Sequence, residues 1–317
     1  MADTLALHLW PPGPMGRLAP FCFFADTTMQ HTNLPAAQAP HADWLRPQWP
    51  APAHVHALCT TRAGGVSAAP YNSLNLGDHV GDAPAAVQAN RAVLQAALAH
   101  TTPGAQAVFL QQVHGTQVAQ LRADLPDGTC ADACTSARAG QVCTIMVADC
   151  LPVLLAHGSG AVVGAAHAGW RGLAGKGGVG VLEAVFERFK ALALSDKALA
   201  AIKNEANGML AAHTMAWLGP CIGPTAFEVG AEVREAFCSH HPAALACFVP
   251  LGQGKFLADL AGLARLRLRA LGVKQIYGND STAPWCTVGN ASRFFSYRRD
   301  QLALGGSGRM AACIWRD

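Results

Sequence analysis

Two reactive side chains, a thiol and an imidazole, mark the two ends of one predicted hairpin. Residues 147–172 read VADCLPVLLAHGSGAVVGAAHAGWRG, in which two apolar runs flank the short turn segment HGSG. If the turn is centred on Gly158 and Ser159, Cys150 and His167 lie directly opposite each other and on one face of the sheet. At that spacing the two side chains could share a metal ion, or the imidazole could take the proton of the thiol. A change of register by one residue would put them on opposite faces.

A third candidate is His114, which follows an apolar run in the segment QQVHG. Because this position has the pattern of a turn, the side chain could reach a site at the end of a sheet. Together, His114, Cys150 and His167 would give three protein ligands and one open position, the arrangement of a catalytic zinc site. Such a zinc polarises the substrate and lowers the pKa of bound water. Asp149 should face the other side of its strand and hold backbone rather than metal.

Three other interpretations of these residues remain open. Cys150 and His167 could form a cysteine hydrolase in which the imidazole activates the thiol. The three residues could hold a structural zinc, although structural sites usually have four protein ligands. The pair could also be a buried cysteine beside an ordinary core histidine, because free cysteines are commonly buried.

Composition restricts the classes of protein to which the chain can belong. The 317 residues are 51% hydrophobic and 14% charged, with a formal net charge of +3 and no long basic run. We therefore expect no nucleic-acid partner and, without an apolar stretch of about 18 residues, no membrane span. The N-terminal segment lacks the basic and apolar regions of a signal peptide, so we expect a cytoplasmic protein whose 11 cysteines are reduced.

Periodicity predicts a mixture of strands and helices without strict alternation, which is typical of an α+β fold with mixed sheets. One predicted helix begins near Asp82 and Pro84, another follows Gly178, and a third places Phe256 and Leu260 on one face with Leu263 and Leu271. The remaining predictions are strands at 55–62, 107–113, 116–120, 141–150, 215–218, RFFSYRRD (293–300) and MAACIWR (310–316), and a helical insertion at 195–213.

Seven motifs occur in order along the chain and resemble one family. They are TTRAGGVS (60–67), SLNLGDHVGD (73–82), QQVHG (111–115), ADCLPVLLA (148–156), AAHAGWRG (165–172), LGPCIGP (218–224) and FFSYRRD (294–300). This set is similar to the peptidoglycan editing factor family, also described as laccase-domain proteins and as multi-activity purine nucleoside phosphorylases. The resemblance extends over about 44–317 and leaves out residues 1–43 and the insertion at 195–213.

The resemblance implies a fold, a metal and several activities. The implied fold is a four-layer α/β/β/α sandwich of the Cys/His hydrolase kind, with 44–317 as one catalytic domain and 1–43 as an irregular extension. The implied metal is zinc on His114, Cys150 and His167. The implied activities are phosphorolysis of adenosine, inosine, guanosine and methylthioadenosine, deamination of adenosine, removal of misincorporated serine from a UDP-muramyl precursor, and copper-dependent phenol oxidation.

The residues themselves help to rank these activities. A multicopper oxidase needs many histidines in pairs, whereas only His54 and His56 have that spacing here. Copper could still occupy the nitrogen and sulfur ligands in a preparation, because it outcompetes zinc at such sites. We therefore favour a zinc-dependent purine nucleoside phosphorylase and adenosine deaminase. The amide hydrolase is the alternative, and a copper oxidase or a structural zinc protein ranks lower.

Arginines in or beside the motifs are candidates for binding phosphate. Arg62 is the best placed, because it leads into the Gly-Gly loop, whose N–H groups could face the same anion as its guanidinium. We assign it a catalytic role in phosphorolysis, with Arg171 and Arg298 as further anion-binding candidates. Ser73 and Asn75 could bind the ribose or the base. The expected partners are therefore a purine nucleoside and phosphate, and the pattern gives no oligomeric state.

Overall fold

The computed structural model describes residues 37–195 and 210–317. The predicted extension at 1–43 lies outside the described residues as far as residue 36. The predicted insertion at 195–213 lies outside them from 196 to 209. No helix in the described parts of the chain has the length and apolar character needed to cross a membrane.

The described residues contain fifteen strands and six α-helices, which we number along the chain. The strands are β1 Val55–Cys59, β2 Gln106–Val108, β3 Leu110–Gln111, β4 Val118–Gln120, β5 Thr129–Cys130, β6 Ala133–Ser136, β7 Gln141–Val147, β8 Leu151–His157, β9 Val163–Ala168, β10 Thr214–Leu218, β11 Glu228–Gly230, β12 Phe248–Gly252, β13 Lys255–Ala258, β14 Gln275–Gly278 and β15 Met310–Arg316. The helices are α1 Pro84–Thr101, α2 Trp170–Ala174, α3 Val181–Ser195, α4 Ala231–Cys238, α5 Leu260–Ala270 and α6 Tyr297–Leu304.

Two large sheets organise these elements. The first sheet has the strand order β1-β15-β7-β2, and the second has the order β14-β10-β8-β9-β6-β4. Each sheet combines antiparallel neighbours with parallel ones, such as β2 beside β7 and β4 beside β6. Two smaller sheets, β11-β13-β12 and β3-β5, complete the topology. The predicted α+β class with mixed sheets is therefore confirmed.

Successive side chains of the central strands point to opposite faces of their sheet, and both faces are covered, which produces a sandwich of four layers. In β8, Leu154 faces the first sheet, whereas its neighbours Val153 and Leu155 face helices, and all three are fully buried. Strands covered on both faces read as continuous apolar runs, which explains the pattern LPVLLA. Helix α1 covers the outer face of the first sheet, and α3 and α5 cover that of the second. The order of layers is α/β/β/α, as the resemblance implied.

The hairpin between β8 and β9 differs from the prediction in its register. Pro152, not Cys150, lies opposite His167. The backbone N–H of His157 donates to the carbonyl of Val162 at 3.1 Å, so the connecting loop has four residues and its centre lies one residue later than predicted. The direct pairing was therefore wrong. The observed register is shifted by two residues from the predicted one, and a shift by two keeps every side chain on its face. Cys150 and His167 therefore still belong to the same face of the sheet.

Two further predictions of secondary structure were wrong, and local capping explains both. The segment RFFSYRRD does not form a strand, because the hydroxyl of Ser296 accepts the backbone N–H of Arg299 at 3.2 Å and begins α6. Phe256 is not on the face of a helix, because it lies in β13. Helix α5 begins only after Asp259, whose carboxylate accepts the backbone N–H of Gly262 at 2.8 Å.

Candidate metal centre and active-site cleft

The structure brings His114, Cys150 and His167 together at one end of the sandwich. His114 follows β3 in a turn, Cys150 immediately precedes β8, and His167 lies in β9. Their nitrogen and sulfur atoms all lie within 4.8 Å of one another. The Sγ atom of Cys150 is 3.5 Å from Nε2 of His114, and the two imidazole rings meet edge to face at 4.7 Å. This cluster could hold a metal ion.

The three side chains of the cluster are buried to different degrees, so one side of the cluster is open to solvent. His167 is buried, Cys150 is half-buried and His114 is exposed. The backbone of Gly169 passes against the same atoms. A Cβ atom on Gly169 would lie 2.6 Å from Cδ2 of His114 and 3.0 Å from Sγ of Cys150, so a side chain there would displace a ligand. The glycine in the AHAGW segment therefore keeps the thiol and the imidazole in reach of each other.

The fully buried carboxylate of Asp132 forms hydrogen bonds with two parts of the cluster, the ring of His167 and the turn that carries His114. It accepts a hydrogen bond from Nδ1 of His167 at 2.9 Å. It also accepts the backbone N–H groups of Val113, His114 and Gly115 at 3.2, 2.8 and 2.7 Å. Sequence reasoning missed Asp132. The available signal was a lone acidic residue at the start of the apolar segment ADAC.

The charges of the cluster shift the pKa values of its members. Burial raises the pKa of the Cys150 thiol, but the charge of His167 and hydrogen bonds from His114 and His167 outweigh that effect and lower the pKa to about 6. Burial lowers the pKa of His167, but the Cys150 thiolate and the Asp132 carboxylate raise it to about 9. Without metal, the favoured state between these values is a thiolate beside an imidazolium.

Asp149 connects the cysteine to three other segments and stays outside the cluster. Its carbonyl accepts the backbone N–H of Ile222 at 2.9 Å, and its carboxylate accepts the backbone N–H of Arg298 at 2.6 Å and the hydroxyl of Thr287. The φ angle of Asp149 is +92°, which turns the chain sharply just before Cys150. As expected from the sequence, this carboxylate holds backbone.

A cavity of about 480 Å³ opens beside the cluster, which is a volume typical of sites for small ligands. Its apolar and aromatic wall includes Met146, Trp170, Ile222, Phe227, Leu260 and Tyr297. Three guanidinium groups also line it, those of Arg171, Arg298 and Arg309. The cavity therefore combines an apolar and aromatic wall with positive charge and the candidate metal ligands.

Arg62 is one of three predicted site residues that lie outside the cavity. It does not line the cavity, and its Nε and Nη1 atoms donate to the carbonyls of Asn72 and Ala291, both at 2.8 Å. Its guanidinium also stacks on Phe295 at 4.8 Å. The Gly-Gly loop is likewise engaged internally, since the N–H of Gly65 donates to the hydroxyl of Ser73. These contacts make Arg62 a connector between loops and give no support to a role in binding phosphate.

Ser73 and Asn75, the predicted ribose or base contacts, also lie outside the lining of the cavity. The hydroxyl of Ser73 donates to the carbonyl of Arg62 at 3.0 Å. Asn75 is fully buried, and its Oδ1 atom accepts the backbone N–H groups of Gly77 and Arg309 at 2.9 and 2.8 Å. Asn75 thus acts on the cavity indirectly, through the backbone of Arg309.

Arg309 and His79 line the cavity, and the sequence did not single out either of them as a site residue. The Nη1 atom of Arg309 donates to the carbonyls of Ser307 and Gly308, which fixes the guanidinium beside the cluster. Burial lowers its pKa, and the negative charges of Cys150 and Asp149 offset this effect only in part. No motif in GSGRM pointed to this residue, whereas Arg171 and Arg298 were predicted and do line the cavity.

Comparisons with known proteins identify the family to which the chain belongs. Residues 56–317 match the family model described as multi-copper polyphenol oxidoreductase laccase. A purine nucleoside phosphorylase of Pseudomonas aeruginosa is 46% identical over 273 residues, which cover 86% of this chain and 98% of the relative. The purine nucleoside phosphorylase YfiH of Escherichia coli is 46% identical over 269 residues, which cover 85% and 97%.

Solved structures give the same result. The Neisseria meningitidis protein NMB0706 superposes with a TM-score of 0.73 at 44% identity, covering 87% of this chain and 99% of that one. YlmD from Geobacillus stearothermophilus gives a TM-score of 0.69 at 29% identity, covering 89% and 99%. The resemblance inferred from the seven motifs is confirmed. The chain belongs to the multi-copper polyphenol oxidoreductase laccase family, in which its curated relatives are named purine nucleoside phosphorylases.

Proposed function

We propose that the protein is a zinc-dependent enzyme that cleaves the glycosidic bond of purine nucleosides by phosphorolysis. The observation that carries this proposal is the presence of the ligand cluster and three guanidinium groups in one cavity. The names of the relatives indicate a small-molecule substrate of this kind. The apolar wall suits the face of a purine, and the arginines suit phosphate.

The donor set of the cluster fits zinc. His114, Cys150 and His167 offer two imidazole nitrogens and one thiolate, all of which zinc binds well, and the cavity leaves one side of the cluster open. The hydrogen bond from His167 to Asp132 matches the outer support found around zinc-binding histidines. A bound zinc would supply a Lewis acid and a water of lowered pKa. Copper could also bind this donor set.

The side chains of the cavity account for the remaining requirements of phosphorolysis. Arg171, Arg298 and Arg309 would hold phosphate so that one of its oxygens attacks C1′ of the ribose. The bond from C1′ to the purine nitrogen breaks, and the purine takes up a proton. His79, which lines the cavity and is largely exposed, is the candidate proton donor. The products are a free purine and a pentose 1-phosphate. Deamination of adenosine would place the same purine with its amino group towards the cluster.

A second candidate function, amide hydrolysis of a UDP-muramyl precursor, is favoured by one observation. Asp132, His167 and Cys150 form a chain of carboxylate, imidazole and thiol, with the pKa of the thiol lowered to about 6. In this mechanism Cys150 attacks the carbonyl carbon of the amide and His167 protonates the departing amine. Water then releases the acid from the acyl-enzyme. His114 would have no direct role in the reaction.

Substitution of His114 separates the two functions. In protein with defined zinc content, His114→Ala should lower phosphorolysis of inosine by several powers of ten, because the cluster loses a ligand. Under the hydrolase alternative, the same variant should retain cleavage of UDP-muramyl-serine, and a thiol alkylator should form an adduct at Cys150. His213→Ala is the control, since this exposed histidine lies outside the cluster and the cavity. Full phosphorolysis in His114→Ala would refute the three-ligand site.

A further inference from the structure

One buried carboxylate contacts both histidines of the cluster. Asp132 is fully buried immediately before β6, and its two carboxylate oxygens receive four hydrogen bonds. Oδ1 accepts from Nδ1 of His167 and from the backbone N–H of His114. Oδ2 accepts from the N–H groups of Val113 and Gly115. Each carboxylate oxygen therefore accepts two hydrogen bonds from the protein, which satisfies this buried charge.

For His167, the contact fixes the ring and decides which nitrogen faces the cavity. Its Nδ1 atom donates to Asp132 at 2.9 Å, and its backbone N–H donates to the carbonyl of Asp132 at 2.7 Å. With Nδ1 engaged in this way, Nε2 is the nitrogen left to act as a ligand. The carboxylate also raises the basicity of that nitrogen, which strengthens its bond to a metal.

For His114, the contact fixes the backbone. This residue has a φ angle of +61°, which is uncommon for a side chain larger than glycine. Three successive N–H groups, from Val113 to Gly115, converge on Asp132, as such groups do around a bound anion. The ring of His114 is exposed, and its polar contact in the described residues is with Cys150. Its direction therefore depends on the turn that Asp132 holds.

We propose that Asp132 is the positioning residue of the metal centre, which holds His114 through its turn and His167 through its ring so that both are preorganised as ligands. This inference rests on the metal site of the proposed function. It differs from a purely structural role in one respect. A structural carboxylate would affect the stability of the fold, whereas a positioning carboxylate also sets the affinity of the cluster for metal.

The test is the affinity of Asp132→Asn for zinc, measured by competition with a chromophoric chelator. Asparagine has nearly the same size, but its NH₂ group would face two N–H donors in place of an oxygen. We expect affinity for zinc to fall about 10- to 100-fold, as for loss of other supports behind zinc ligands. The cobalt-substituted protein should also show a changed visible spectrum, since the arrangement of the ligands changes.

Asp259→Asn is the matched control. Asp259 is likewise a carboxylate that accepts a backbone N–H and a hydroxyl, from Gly262 and Ser281. It caps α5, and it neither belongs to the cluster nor lines the cavity. It should lose stability without losing zinc affinity. Asp132→Ser, which is smaller and keeps one acceptor, is measured in parallel in case the asparagine variant does not fold.

The outcomes separate the two proposals. If a folded Asp132 variant binds zinc as tightly as Asp259→Asn does, the positioning role is wrong, while the metal site stands. If the wild-type protein itself binds no zinc, the proposed function fails at its metal site. Weaker zinc binding in the Asp132 variants, with wild-type affinity in the control, supports both.

Discussion

Replacement of Arg309 by glutamine tests whether the proposed anion site lies beside the cluster. Arg309 uses Nη1 to hold two backbone carbonyls, and in the described part of the chain its Nε and Nη2 atoms have no protein acceptor. Arg309 lines the cavity that contains the cluster. By contrast, Arg62 donates from Nε, Nη1 and Nη2 to Asn72 and Ala291. The two arginines should therefore respond differently to the same substitution.

The expected sizes follow from these contacts. A charge-assisted hydrogen bond to phosphate contributes about 1.5–3 kcal/mol. Its loss in Arg309→Gln should raise the KM for phosphate about 10- to 150-fold. Arg62→Gln should leave that KM within about twofold, because the structure gives Arg62 no contact with the cavity. It should instead lose roughly 1–3 kcal/mol of stability through unpaired carbonyls, which lowers Tm by a few degrees.

Initial rates at varied phosphate and saturating inosine, with Tm measured on the same preparations, decide between the two sites. Arg309→Lys should recover little, because an ammonium does not reproduce the planar fork of the guanidinium. An unchanged phosphate KM in Arg309→Gln together with a large rise in Arg62→Gln would refute this reasoning. It would return the anion site to the Gly-Gly loop, as the sequence alone suggested.

Three further predictions concern the cluster and its support. Protein purified without added copper should contain about one zinc per chain by elemental analysis, and Cys150→Ser should contain far less; wild-type activity without any zinc would contradict this. In metal-free protein, the rate of alkylation of Cys150 should rise with pH and reach half its maximum near pH 6, because the pKa of the thiol is lowered to about 6. The rate measured in Cys150→Ser is subtracted as the contribution of the other cysteines. A midpoint near pH 9 would show that Cys150 is not a thiolate at neutral pH. Asn75→Ala should cost about 1–3 kcal/mol in urea unfolding. It should also raise the KM for phosphate, because Asn75 holds the backbone of Arg309 at 2.8 Å; an unchanged KM would make its role structural only.

The sequence predicted the α+β class and the candidate ligand cluster because both depend on short-range patterns, whereas the order of the four layers was implied by the family resemblance. Continuous apolar runs such as LPVLLA indicated the two strands of the hairpin. The turn is longer than predicted, but the register of the hairpin differs from the prediction by two residues, an even number. Cys150 and His167 therefore lie on one face, as predicted. That error was harmless, because a shift by two residues preserves the face.

What the sequence did not reveal depends on contacts between distant segments. The bond between Asn75 and Arg309 joins residues 234 positions apart, and that between Asp132 and His167 joins residues 35 apart. No local pattern distinguishes an arginine that faces a cavity from one that ties two loops together. Arg62 was therefore favoured for its neighbouring glycines, while Arg309, which lies in no predicted motif, was overlooked.

The most direct test of the account is the balance of products from inosine in protein of defined zinc content. If the enzyme is a phosphorylase, hypoxanthine and pentose 1-phosphate should form in equal amounts. Neither should form without phosphate, after removal of zinc with a chelator, or in His114→Ala. The formation of hypoxanthine at the wild-type rate without phosphate, or by the zinc-free protein, would contradict the claim that the cluster and the arginines serve one phosphorolytic reaction.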